Sequence, residues 1–163
     1  MATTSDRRTW VIPPASGTVD GINLALLDPA DPDERRLLIE AEHPMLRQSL
    51  HDDLDEVVLD GQLINPRLHI ALHEIVAERL STDDPPEAWP TAQRLSALGY
   101  DRHEVLHMLM SVISGELYQA MQRPASGPQD PQQTAVALAA LPDSWEAQRK
   151  VTLTTRAERR AQQ

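Results

Sequence analysis

Between Asn65 and Gln122 the chain carries start and stop signals for three successive helices, and no other stretch limits its architecture as strongly. Asn65-Pro66 opens the first. Asn is a good N-cap, and Pro suits the first helical position, where no backbone N–H is needed. Leu68, Leu72, Ile75, Val76 and Leu80 then recur at helical spacing, and Asp83-Asp84-Pro85-Pro86 ends the run. A second helix is predicted over 87–98, with Gly99 placed as a C′ glycine. A third starts after Asp101, whose spacing to Glu104 is that of a capping box. Tyr100 and Val105 have the spacing of a hydrophobic staple. Short connections favour antiparallel neighbours, so the first and third helices are expected to run parallel.

Composition supports a helical reading of the rest. Twenty-one leucines must fill most of the core, because Phe is absent and only three Trp and two Tyr are present among 163 residues. Such a Leu-rich, aromatic-poor composition leans away from sheets. Regular structure is predicted to begin near Asp33, with Leu37, Leu38, Ala41, Met45 and Leu46 at helical spacing and Pro44 either kinking that helix or dividing it after residues 41–43. Residues 1–32 read as a loose arm, in which Trp10-Val11-Ile12 could pack in extended form. Residues 52–63 read as a solvated acidic loop turning at Gly61. Beyond Arg123 the chain turns to Pro, Ser, Gly and Gln. The expectation there is a linker, a short helix over 132–141 and a charged tail carrying Arg149, Arg156, Arg159 and Arg160. The predicted architecture is therefore all-α: a small helical bundle over 33–122, a loose N-terminal arm over 1–32 and a flexible extension over 123–163.

Charge and residue usage exclude several functions. Fifteen basic against 25 acidic residues give a formal net charge of −10. Nucleic-acid coats are built from excess basic charge, so no nucleic-acid partner is expected. There is no cysteine, which removes disulfides, thiolate metal sites and Cys nucleophiles. No apolar run reaches the ~18 residues that span a bilayer, and Pro13-Pro14 stand where a signal peptide would need its apolar core, so a soluble cytoplasmic chain with no membrane partner is expected. Neither a nucleophile elbow nor a phosphate-binding glycine loop is present.

What remains is histidine. Of the six, His69 and His73 form one i, i+4 pair and His103 and His107 another, while His43 and His51 stand apart. Six histidines scattered at random would give roughly 0.2 such pairs, so two pairs are a surplus. Residues at i and i+4 lie one above the other on a helix face, where two imidazoles can share one divalent ion. Each pair falls in the first two turns of its helix, and parallel helices would place both at one end of a bundle. Imidazole sites suit zinc, iron, copper or nickel. Glu40 and Glu104 stand three residues before His43 and His107, the Glu-x-x-His spacing of di-iron bundles, although capping explains Glu104 without a metal. Glu116 reads as a solvated charge and His51 as a surface residue.

The run His43-Pro44, Asn65-Pro66-Arg67-Leu68-His69-Ile70-Ala71-Leu72-His73, Asp83-Asp84-Pro85-Pro86, His103 to His107 and Gly115-Glu116 resembles a bacterial family of small, soluble, His-rich proteins known only as a domain of unknown function. The resemblance covers about residues 40 to 120, and Asn-Pro-x-Leu-His-x-x-x-His is its most specific part. It implies that His43, His69, His73, His103 and His107 belong together. The first family motif reads His-Pro-x-x-His, and here Arg47 stands at its second His. The family supplies no reaction. The resulting expectation is a divalent-metal-binding helical protein, with zinc or iron held by His43, His69, His73, His103 and His107, in a site either structural or catalytic. The alternative is a metal-free interaction or regulatory module that binds a protein partner or a second copy of itself.

Overall fold

Side-chain caps and prolines set where the helices begin. Asp31 accepts from the backbone N–H groups of Asp33 and Glu34 at 2.9 and 3.1 Å, opening α2 over Pro32–Glu42. Asn65 accepts from Leu68 N–H at 2.9 Å and opens α4 over Pro66–Thr82. Asp101 accepts from Glu104 N–H at 2.9 Å ahead of α6, Arg102–Gln122, and Asp130 accepts from Gln132 N–H at 3.0 Å ahead of α7, Pro131–Ala139. Pro44 divides the second helical region as expected: α2 ends at Glu42, His43 leaves helical geometry, and α3 runs from Pro44 to His51. The remaining helices are α1, Thr4–Val11, α5, Ala88–Ala97, and a last run α8 over residues 143–151.

This computed structural model describes residues 4–59, 61–122 and 130–151. The protein is mostly helical. Among the described residues no helix is long and apolar enough to cross a membrane. The predicted tail arginines Arg156, Arg159 and Arg160, and most of the predicted linker, lie outside the described residues.

By internal packing the chain divides into Met1–Asp84 and Pro85–Gln163. In the first unit α4 is the central element, and α1, α2 and α3 all pack on it. Its buried residues are Pro66, Ile70, Leu72, His73, Val76, Ala77 and Leu80. Leu72, Val76 and Leu80 of the expected stripe face inward. Leu68 is 54 % exposed and Ile75 half-buried, while Ile70 and His73, outside that stripe, are buried, so the inward face is wider than the apolar spacing suggests. The N-terminal segment differs too. Trp10 and Val11 are helical rather than extended, and Val11 and Ile12 are buried. Arg7 anchors α1 to the far end of α4 through Asp83 at 2.6 Å.

Two small antiparallel hairpins interrupt the helices. β1, Thr18–Val19, pairs with β2, Ile22–Asn23, and β3, Val57–Leu59, pairs with β4, Gln62–Ile64. The first closes on Asp20-Gly21, and Gly61 lies in the turn of the second. Asp20 and Gly21 take φ of 51° and 80°, the left-handed backbone that a two-residue hairpin turn requires, and Gly61 takes 72°. The acidic loop expected over 52–63 is thus partly a hairpin, with Asp53 and Asp55 both engaged by Arg67.

In the second unit α6 packs with α5 and α7 around Trp89, Ala92, Leu95, Val105, Met108 and Leu109. The chain beyond Arg123 contributes buried Leu138 and Leu141 to this core. Arg94 on α5 ties that region down by donating to the carbonyls of Leu141 and Leu138 at 2.7 and 3.1 Å, which satisfies acceptors at the end of α7. A cap supplied from 44 residues away leaves no local trace in the sequence.

Candidate metal centre

Three histidines of the first unit converge where the α2–α3 break lies against the opening turns of α4. His43 is the break itself. Pro44 takes the first position of α3 and leaves His43 at φ −122°, ψ 63°. Its backbone N–H bonds to Glu40 rather than to the carbonyl of Ile39, one turn back. The imidazole fills that place instead: Nδ1–H donates to the Ile39 carbonyl at 2.7 Å. A carbonyl can only accept, so the proton sits on Nδ1 and the lone pair on Nε2. A backbone carbonyl holding one ring nitrogen so that the other can ligate is the usual arrangement around metal-bound imidazole. The ring is 8 % exposed.

His69 and His73 come from the first two turns of α4. His73 is 4 % exposed and occupies a position of the buried stripe between Ile70 and Ala77. His69, one turn earlier, is half-buried. Their Nε2 atoms are 3.2 Å apart. Two nitrogens bound to one tetrahedral zinc at ~2.0–2.1 Å stand about 3.3–3.4 Å apart, so the spacing fits a shared ion. It also fits an N–H···N hydrogen bond between neutral rings. The His43 ring centroid lies 4.4 Å from that of His73 and 5.3 Å from that of His69. One ring nitrogen of each of the three falls within 4.8 Å of those of the others, a group that could hold a metal ion.

Ion pairs fasten the surrounding scaffold. Arg36 bridges Glu40 on its own helix and Glu74 on α4 at 2.9 and 3.3 Å, and Arg35 reaches Glu78 at 2.7 Å. Each such pair contributes little alone. Together they clamp α2 onto α4 in the turns that follow His73. Glu40, considered from spacing as a ligand, belongs to this clamp. Arg47 pairs with Asp20 on the first hairpin.

In the second unit His103 and His107 share one face at the start of α6, ring centroids 4.4 Å apart and both half-buried. Glu104 accepts from Arg149 at 3.0 Å while its backbone N–H is capped by Asp101. His51 is exposed at the end of α3, as expected. Glu116 is not solvated: it is 7 % exposed and its Oε1 accepts from Thr134 Oγ1 at 2.6 Å. It lies nine residues beyond His107, about 13 Å along the helix axis. Its partner arrives from α7, which is why its spacing on α6 gave no sign of burial.

No curated protein matches this chain, and no solved structure does. A family profile does, over residues 33–140, from the first turn of α2 through α7. That span takes in His43 and both i, i+4 pairs and covers well over half of the sequence. The chain therefore belongs to the family described as Domain of unknown function (DUF1841).

Proposed function

We propose that this protein binds a divalent transition-metal ion, zinc or iron, through His43, His69 and His73 of the first unit, and that His103 and His107 form a separate candidate imidazole pair in the second. The single observation that carries the reading is the contact of His43 Nδ1 with the Ile39 carbonyl, which in the neutral ring puts the Nε2 lone pair among two other imidazoles. Buried rings with fixed orientation suit a metal better than a surface histidine does, because little rotamer entropy remains to be lost on binding. The ligand set excludes a preference for magnesium or calcium, which take oxygen donors. A bound ion would act as a structural clip if all its positions are filled by protein. It would act as a Lewis acid toward a hydrolysable substrate if one position is left to water.

A second reading, a metal-free interaction module, draws on the β3–β4 hairpin. Its cross-strand pair Val58 and Leu63 is 70 % and 66 % exposed, an apolar face suited to a protein partner or a second copy. Metal content separates the readings. Protein purified without a His tag and passed through gel filtration should retain close to one equivalent of metal by elemental analysis. Less than a tenth of an equivalent, before and after reloading with zinc or ferrous ion, refutes the metal reading.

A further inference from the structure

Helix α8, residues 143–151, docks on the start of α6 without adding a residue to the core. The buried anchors of this region come before it: Leu138 and Leu141, whose carbonyls Arg94 holds. From residue 143 onward no described residue is buried. Ser144, Trp145 and Glu146 are half-buried, and Asp143 and residues 147–151 are exposed. A helix this short is marginal by itself and depends on a packed apolar face.

Trp145 is the largest apolar side chain of α8, and it docks at a cost. Its indole Nε1–H is buried, and no acceptor among the described residues reaches it. A buried indole N–H usually finds a partner, because a stranded donor gives up its hydration and regains nothing. That penalty disappears once the helix lifts and water reaches the ring nitrogen.

The bonds at the start of α6 show what α8 lies against. The Tyr100 hydroxyl donates to Glu146 at 2.6 Å, and Arg149 donates to Glu104 at 3.0 Å. The second pair is solvated, Arg149 being 58 % and Glu104 30 % exposed, and such pairs contribute little. Further along, Ser144 and Gln148 line one polar hollow together with Ser111 and Val112 of α6. Glu104 and Ser111 stand three residues before and four residues after His107, spacings that put all three on neighbouring positions of one helix face.

We infer that α8 is a strap: it lifts from α6 as a unit while the α5–α6–α7 core stays folded, and lifting opens the turn that carries His107. Local opening belongs to elements with few buried apolar residues and solvated bonds, and α8 has both features. A strap at this place regulates what reaches the imidazole pair without unfolding the helix that bears it. The inference does not depend on metal binding.

Hydrogen exchange of the full chain, read residue by residue by NMR, tests it. Amides of residues 147–151 should be at least about a hundredfold less protected than those of Met108 and Leu109, and the Trp145 indole hydrogen should exchange along with them. Trp145→Ala should release the strap. The α8 amides should lose a further tenfold or so in protection, while Met108 and Leu109 keep theirs. In chelator, diethyl pyrocarbonate should then modify His107 about tenfold faster than in the wild type, with the exposed His51 as an unchanged reference. Equal protection of α8 and α6 in the wild type overturns the proposal without recourse to any variant. So does loss of α6 protection together with α8, or unchanged modification of His107 in a variant whose α8 has opened.

Discussion

His73→Leu changes protein stability in opposite directions with and without metal, and that sign reversal gives the sharpest test of the centre. Without metal, the substitution removes a buried imidazole whose Nε2 meets that of His69 at 3.2 Å. One neutral hydrogen bond is worth about 0.5–1.5 kcal/mol net. A leucine buried at the same stripe position gains about 1.5–3 kcal/mol over an exposed one, and part of that gain replaces what the imidazole ring already contributed. The metal-free variant should therefore equal or exceed the wild type by about 1 kcal/mol. With metal the order reverses. An ion at a thousand times its Kd stabilises the folded state by about 4 kcal/mol. Loss of one imidazole weakens affinity by about 100-fold or more, since even outer-shell changes cost 10- to 100-fold, and at the same metal concentration only about 1.4 kcal/mol remains. At about 3 °C per kcal/mol for a chain of this size, zinc should raise the wild-type melting temperature by about 12 °C and that of His73→Leu by about 4 °C. Differential scanning calorimetry with zinc and with chelator reads both differences. Equal zinc-induced shifts in the two proteins would refute ligation by His73.

Other consequences follow from the same geometry. Metal release should begin as pH falls below about 6.5, with more than one proton taken up per ion, because each imidazole must be deprotonated to ligate; an affinity flat between about pH 5 and 8 would contradict imidazole ligands. Asn65→Ala should destabilise the fold by about 1 kcal/mol and also loosen metal binding, since Asn65 caps the turn that carries His69; a stability loss without any change in metal affinity would separate cap from site. Tyr100 titrates above its ordinary 10.0, first because Glu146 accepts its hydroxyl hydrogen at 2.6 Å, then through burial and the nearby charges of Glu146, Glu104 and Asp143. A raised folded-state value contributes stability that is complete below the unfolded value and fades as pH climbs through the folded one. Tyr100→Phe should accordingly flatten the loss of stability as pH rises above about 10, and urea midpoints across that range would show it.

Helix starts were legible because their signals are local: an Asn or Asp side chain bonds a backbone two or three residues on, and a proline fixes its own φ. The histidine pairs were legible for the same reason, since i, i+4 spacing on a helix needs nothing from the rest of the chain. His43 entered the expected set only through the family resemblance, because its place beside α4 depends on α2 and α3 docking there. The hairpins were missed although Asp20-Gly21 and Asp60-Gly61 advertise them; strands of two and three residues carry too few alternating positions to show a period. The inward face of α4 is wider than its apolar spacing suggests, because Ile70 and His73 share it with Leu72, Val76 and Leu80, and an imidazole is not counted as apolar when a stripe is drawn. The burial of Leu138 and Glu116 depends on Arg94 and Thr134, partners 44 and 18 residues distant, and such pairings exist only once the chain has folded.

The capped ring of His43 carries a further implication for how the first unit assembles. Its bond to Ile39 lies within one turn, and the His69–His73 pair likewise lies within one turn, so each half of the centre is local in sequence. Only their meeting spans sequence, across the 25 residues between His43 and His69 that include the second hairpin. An ion bridging them behaves as a cross-link on that loop. By chain-entropy arithmetic, a covalent tie closing about 26 residues restricts the unfolded chain by about 3.5 kcal/mol. Coordination that survives in partly unfolded chains would confer the same kind of restriction. Metal would then shape the unfolded ensemble as well as the native fold, and refolding in its presence would start from a chain already looped around the hairpin.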